Sequence, residues 1–442
     1  MKAQSVHSLK GTPNQGLTGA TVGFWLGLAA VSLWGPTAKD IKDLLGLNAV
    51  EVGFLVSMPM ATGSLLRMPF GAWVDTTGGR KPMLVLLLVA LAGMVGLTAL
   101  LYLRYPENLT MSDYPLLLLL GLVVGFAIAT FSVGIAQASY WFPQKRQGWA
   151  LGLYGGLGNT GPGIFALLVP VLTGIWGLES AYLAWCFILA VGIVIYYVLA
   201  PNAPYFQLRA QGVAPEQARR QAADHGQELF PARSTVESLA IAARIWRTWA
   251  LVAIYFLSFG GFISLTAWLP TYWKEYYAAG TVAATSLTVM YSLLASLARV
   301  PGGAISDRIG GERTLAFFLS ITLAGAVIMT ASHRYEVSIL GIAVMAVGMG
   351  VVNGAVFKLV PLYVKEAIGG GAGWVGGLGA FGGFSIPPIL GAIAGAEEAN
   401  GYATGFGVFV LLALASLGML YLLTRTRAAL APAPAGANPN PP

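Results

Sequence analysis

The sequence predicts an all-α polytopic membrane protein whose twelve transmembrane helices form two pseudo-symmetric six-helix halves. Three observations carry this. Of 442 residues, 56% are hydrophobic and only 10% are charged, where a soluble chain carries about 25% charged residues. The apolar residues gather into runs long enough to cross a bilayer. One stretch of sequence, finally, recurs in the second half of the chain.

The runs come in order at roughly 18–37, 50–74, 82–103, 115–142, 148–176 and 178–200, then, after a polar stretch, at 248–273, 282–305, 314–332, 338–364, 372–395 and 401–424. Each has about 18 residues or more, the length a spanning helix needs. The 148–176 run is the least uniform because glycine interrupts it so often. The expected domains are a cytoplasmic N-terminal segment 1–17, a first half 18–200, a linker 201–247, a second half 248–424 and a disordered cytoplasmic tail 425–442. The linker mixes both charge signs with helix formers (APEQARRQAADHGQELF) and predicts one or two surface helices. The tail, APAPAGANPNPP, lacks the side chains to pack.

Charges outside the runs orient the protein. With the N-terminus inside, the inner segments hold 17 basic against 8 acidic residues, and the outer segments 5 basic against 10 acidic. The positive-inside rule therefore places both termini in the cytoplasm, in a cell membrane crossed many times. The net charge of +7 reflects topology and does not point to a nucleic-acid partner. A single cysteine, Cys186, excludes an internal disulfide, and His7, His225 and His333 all lie outside the apolar runs. No metal site, cofactor or phosphate-binding loop is expected, and so no ATP hydrolysis. Nothing resembles a catalytic constellation.

The second run ends LLRMPFGAWVDTTGGRKPM (65–83) and the eighth ends LARVPGGAISDRIGGERTL (297–315). They align without a gap at an offset of 232, pairing Arg67 with Arg299, Pro69 with Pro301, Gly71 with Gly303 and Asp75 with Asp307. YGGLGNTGPG (154–163) pairs with VGGLGAFGGF (375–384) at an offset of 221, which puts an insertion near 104–114. Repeated six-helix halves predict a transporter with its site at mid-membrane between them. The segment from Gly71 through Asp75 and Gly78 to Arg80 and Lys81 resembles the cytoplasmic signature of the major facilitator superfamily. Together with the glycine runs and the two mid-span arginines, the chain resembles the nitrate/nitrite porter family within it.

Arg67 and Arg299 each lie eight residues before an aspartate, about 12 Å inside the membrane, and Lys358 reaches a similar depth. A mid-membrane cation costs roughly 2.5–3.5 kcal/mol or more, yet no Asp or Glu occupies the centre of any run. A permeant anion is expected to complete the charge balance. Guanidinium forks at one depth suit a small planar anion. Nitrate and nitrite fit, and formate, bicarbonate and small carboxylates stay open on chemistry alone. The resemblance favours nitrate.

Gly152, Gly156, Asn159 and Gly163 share one helical face, as do Gly373, Gly377, Ala380 and Phe384. Such faces permit close helix packing and would let spans five and eleven slide. Phe131 and Tyr255 fall near midplane. The resemblance implies that Asn159 contacts the anion, that Phe131 flanks it and that Tyr255 donates to it. It also implies that Asp75, Arg80, Lys81 and Asp307 latch the halves on the inner side.

The expected function is a monomeric secondary transporter in which Lys358 titrates during proton-coupled nitrate uptake. The repeat pairs Lys358 with the neutral Gln137. Nitrate/nitrite exchange is the alternative, and a porter for formate or another small carboxylate stands behind it. The partners are the anion, protons and membrane lipid.

Overall fold

The computed structural model describes residues 9–143, 146–231, 235–364, 367–396 and 400–430. Among them no residue forms a strand, and twelve helical segments are long and apolar enough to cross a membrane. The first six run Pro13–Leu45, Ala49–Thr77, Arg80–Arg104, Met111–Ser139, Trp149–Trp176 and Leu178–Leu199. The second six run Trp246–Tyr276, Thr281–Ser306, Gly311–Ala331, Tyr335–Val360, Gly370–Ala396 and Gly401–Thr426. Each overlaps the run that hydropathy marks. The last helix continues to Leu430, six residues into the segment expected to be disordered tail, and 431–442 lie outside the described residues.

The insertion in the first half is visible as helix length and loop. Span three has 25 residues before a connection at 105–110, where span nine has 21 before a connection at 332–334.

Several spans are broken near their middles, and the breaks matter most for the site. Span two divides at Leu66 into Ala49–Leu65 and Arg67–Thr77. Span four passes through a 3₁₀ stretch at Gly125–Ala129 and resumes at Thr130. Span five divides between Gly158 and Gly161. Span seven contains a π-helical turn at Phe256–Gly260, and span eleven a 3₁₀ turn at Gly379–Phe381. Interruptions are tolerated at membrane depth only where neighbouring protein or a polar cavity satisfies the freed backbone groups. Spans eight and ten, Thr281–Ile309 and Tyr335–Tyr363 as full helices, run unbroken.

The linker forms three helices. Pro204–Ala210 and Pro215–Asp224 enclose a small core of Leu208, Val213, Ala218 and Ala222. Gln207 ties them to the N-terminal segment, accepting from the Lys10 amide and donating to its carbonyl. The third helix, Thr235–Arg244, lies on span eleven. There the Gly370 amide donates to Ser238 Oγ, and Trp374 Nε1 donates to the Leu239 carbonyl, both at 2.9 Å.

Candidate functional site

Four side chains, two from each half, meet at the centre of the bundle. Phe131 and Phe259 stack with ring centroids 5.6 Å apart and planes 25° from parallel. The Arg67 guanidinium carbon lies 4.7 Å from the Phe131 centroid and 4.8 Å from that of Phe259. The Arg299 guanidinium carbon lies 5.5 Å and 5.9 Å from the same two rings. Both cations thus share one aromatic pair, with one arginine and one ring contributed by each half. Aromatic faces attract guanidinium by about 0.5–2 kcal/mol per contact, which offsets part of the burial cost but leaves the charge uncancelled.

Helix breaks place most of these groups. Arg67 opens the second segment of span two, Phe131 follows the 3₁₀ stretch of span four, Asn159 sits in the break of span five, and Tyr255 and Phe259 flank and occupy the π turn of span seven.

Arg67 is 2% exposed. Its Nη1 donates to the carbonyl of Gly376 at 2.8 Å, and its Nε and Nη2 are buried without a hydrogen-bond partner. Arg299 is half-buried, with Nη1 unpartnered, and its Nε lies beside Gly155, where an added Cβ would stand 3.2 Å away. Gly155 and Gly376 correspond at the repeat offset of 221, so each arginine meets the matching glycine of the other half.

A cavity of about 980 Å³ opens from this cluster. Its wall includes Arg67, Phe131, Arg299 and Asn353 at one end, and Asp75, Trp149, Ser238, Leu239 and Lys358 towards the other. The cavity reaches the linker helix, which contributes Ser238 and Leu239 to its wall. At the opposite end the halves are closed together: Glu275 of span seven binds Lys39 and Lys42 of span one at 2.8 Å each, and Lys274 donates to the Pro36 carbonyl at 3.3 Å.

Other predicted residues take defined places. Tyr255 is fully buried and lies flat against Phe259, centroids 5.0 Å apart, with its hydroxyl unpartnered. Asn159 is also buried, and its amide nitrogen donates to the Gly155 carbonyl at 2.6 Å. Its carbonyl oxygen is buried without a hydrogen-bond partner. Lys358 donates to the Ser306 carbonyl at 2.8 Å and is exposed on the cavity wall.

The glycine faces meet the opposite half. A Cβ at Gly156 would stand 2.5 Å from Val300, at Gly163 3.3 Å from Leu293, and at Gly377 3.3 Å from Met68. Spans five and eight, and eleven and two, therefore cross at close range. The cytoplasmic signature engages its own half: Tyr140 donates to Asp75 Oδ1 at 2.6 Å, Arg80 donates to the Tyr197 carbonyl and stacks on that ring, and Lys81 lies over Trp73. The side chain of Asp307 lies outside the described residues.

Sequence reasoning missed Phe259, Asn353 and Glu275. Phe259 follows Tyr255 by four residues, one helical turn, which marks it as sharing that face. Asn353 is an amide in the middle of an apolar run, an unusual placement that flags function. Glu275 reads as one outer charge among many, and only the packing of spans one and seven distinguishes it.

Twelve spans enclosing a one-sided cavity define a membrane transporter. The chain matches the family model for the Major Facilitator Superfamily over residues 20–387, with a second match over 279–442. It is 31% identical over 427 residues to a probable nitrate/nitrite antiporter, NarK1, of Thermus thermophilus, covering 90% of this chain and 89% of that protein. It is 30% identical over 401 residues to a probable nitrate/nitrite transporter, NarK2, of Mycobacterium tuberculosis, covering 90% and 92%. A nitrite extrusion protein of Bacillus subtilis is 28% identical, with 89% of each chain covered. In fold it resembles the xylose transporter XylE from E. coli, with a TM-score of 0.69 at 14% identity, over 93% of this chain and 99% of that one. The chain belongs to the nitrate/nitrite porter family of the major facilitator superfamily.

Proposed function

We propose that the protein carries nitrate and nitrite across the cell membrane by alternating access, with the anion held between Arg67 and Arg299 and flanked by Phe131 and Phe259. One observation carries this reading. Two guanidinium groups share an aromatic pair at the junction of the halves, three of their nitrogens are buried and unpartnered, and among the described residues no ion pair reaches either group. A buried charge without a counter-ion is costly, and a planar anion accepting from both forks removes that cost. The names of the relatives support nitrate and nitrite as that anion. In this reading the cavity faces the cytoplasm with both termini, the halves comprise 18–200 and 248–424, and the protein works as a monomer.

Exchange of one anion for another accounts for the site better than proton coupling through Lys358. The empty site carries two positive charges, so its passage across the membrane is unfavourable until an anion fills it. Lys358 is exposed and donates to the Ser306 carbonyl. A latch formed by Asp75, Arg80 and Lys81 belongs to the state in which the inner cavity is closed.

The test is nitrate uptake into proteoliposomes by the wild type and by the Arg67→Lys and Arg299→Lys variants, with nitrite or buffer trapped inside. Uptake that requires internal nitrite and falls at least tenfold in both variants supports the proposal. Undiminished transport in the lysine variants removes the paired-fork argument. Displacement of nitrate by equal formate removes the substrate assignment.

A further inference from the structure

Arg299 has one buried nitrogen without a hydrogen-bond partner, Nη1, and it lines a void too small to hold a water molecule together with Asn159, Phe259, Phe262, Ala295, Ser296 and Asn353. A guanidinium has only donors to offer. Two of the side chains that line it carry buried oxygens without hydrogen-bond partners, Asn159 Oδ1 and Asn353 Oδ1. The orientation of both amides is determined by chemistry: each nitrogen faces a backbone carbonyl, Gly155 for Asn159 and Ser258 for Asn353, and a carbonyl can only accept. Both side chains are almost completely buried, at 1% and 3% exposure.

The backbone brings Asn353 close to Arg299 by a specific device. Spans eight and ten cross in contact through Gly350 and Gly354. A Cβ at Gly350 would lie 2.3 Å from the Ala295 carbonyl oxygen, and one at Gly354 would lie 2.5 Å from that of Arg299. Asn353 therefore travels with Arg299 inside one half. Its amide nitrogen also reaches the Ser258 carbonyl at 3.3 Å, one residue before Phe259. Asn159 belongs to the other half, joined to span eight where Ser296 Oγ donates to its backbone carbonyl at 2.8 Å.

We propose that Asn353 is a positioning residue for Arg299, its side-chain oxygen receiving the Nη1 N–H when the site tightens around the anion. The bond aims the remaining fork of Arg299 at the substrate and couples it to the π turn that carries Phe259. Asn159 Oδ1 supplies the second acceptor and does so only while the halves are apposed as here. An acceptor oxygen in this place suits the arginine and would repel the anion, so Asn353 acts through Arg299 and does not bind substrate. The inference rests on the reading of Arg299 as an anion ligand.

Nitrate binding by calorimetry to purified wild type, Asn353→Leu and Asn353→Asp at several pH values tests it. The leucine variant keeps the volume and removes the acceptor. Its nitrate affinity is expected to fall about tenfold or more, the loss of one charge-assisted bond. The aspartate variant replaces the neutral acceptor with a titratable one beside Arg299. Ionised, it neutralises the arginine and weakens nitrate binding. Protonated, it restores affinity, so its binding strengthens as pH falls while that of the wild type stays flat. A packing role alone produces no such pH profile. Unchanged affinity in a folded leucine variant, or pH-independent binding in the aspartate variant, overturns the inference. If the leucine variant does not fold, the aspartate profile decides alone. Wild type that fails to bind nitrate instead sinks the substrate reading.

Discussion

Arg67 donates from Nη1 to the carbonyl oxygen of Gly376, 2.8 Å away in the opposite half. The related arginine, Arg299, lies with its Nε against Gly155, the repeat partner of Gly376. The two contacts are equivalent by symmetry but not in detail. Arg67 is anchored by a backbone bond that any residue at 376 can provide, whereas Arg299 depends on the space that the missing side chain leaves at 155.

Alanine at these two glycines should therefore behave differently. In Gly155→Ala the new methyl would sit 3.2 Å from Arg299 Nε, tight enough to displace the guanidinium, and nitrate Kd should rise about three- to tenfold. In Gly376→Ala the nearest atom is 3.8 Å away on Phe357, an ordinary contact, and Kd should stay within about twofold. Calorimetric titration of both variants checks this. Equal effects at the two positions would mean that Arg299 is not held by the space at Gly155.

Much of this site was legible before any coordinates. A mid-span arginine without a carboxylate announces itself in sequence, and the gapless repeat around Arg67 and Arg299 announces that there are two. Position along a helix also brought Phe131 and Tyr255 to the right depth. What sequence could not supply was direction. The side-chain amide of Asn159 reads as a donor without a direction, and the fold aims it at the carbonyl of Gly155, one turn back on its own helix. Lys358 reads as buried from its depth, whereas it lies exposed on the cavity wall. Asn353 gains its meaning only from the close crossing of spans eight and ten, a tertiary fact carried by Gly350 and Gly354.

At the closed end one carboxylate joins the halves. Glu275 bridges Lys39 and Lys42 through separate oxygens at 2.8 Å. Such partly exposed pairs contribute up to about 1 kcal/mol each, enough to move a two-state equilibrium roughly three- to tenfold. Glu275→Gln should therefore populate the oppositely open state more. In a Cys186→Ser background carrying Ala267→Cys, which lies beside Gly35 at the interface of spans one and seven, labelling by an impermeant maleimide should accelerate by that factor. An unchanged labelling rate would show that the apolar packing of the two spans, and not the ion pairs, holds this end shut.

Lys358 is the residue on which exchange and proton coupling part company. Its ammonium donates to the Ser306 carbonyl from an exposed position, so replacement should remove a charge from the cavity wall and leave the binding pair intact. Lys358→Gln is expected to keep nitrate/nitrite exchange, with nitrate Kd raised about threefold or less, and to respond to an imposed pH gradient as the wild type does. Loss of a pH-gradient response that the wild type possesses would restore the lysine as the coupling group.

The linker helix Thr235–Arg244 forms part of the cavity wall through Ser238 and Leu239. It is fastened to span eleven by Gly370 and Trp374, the same span whose Gly376 carbonyl holds Arg67. A helix tied to one half and bordering the opening between the two must shift its footing when that opening closes. Trp374→Phe removes the 2.9 Å bond to the Leu239 carbonyl while keeping an aromatic ring in place, and a neutral bond of this kind contributes about 1 kcal/mol. Amide exchange across 235–244 should then speed up about fivefold. Nitrate Kd should stay within about twofold, because Trp374 touches neither arginine and the Gly376 carbonyl is unchanged. The exchange turnover in proteoliposomes is the quantity that should move, since it alone requires the cavity to close. Faster amide exchange with unaltered turnover would make the helix a passive lining, and altered Kd would mean that its anchor reaches the site through span eleven.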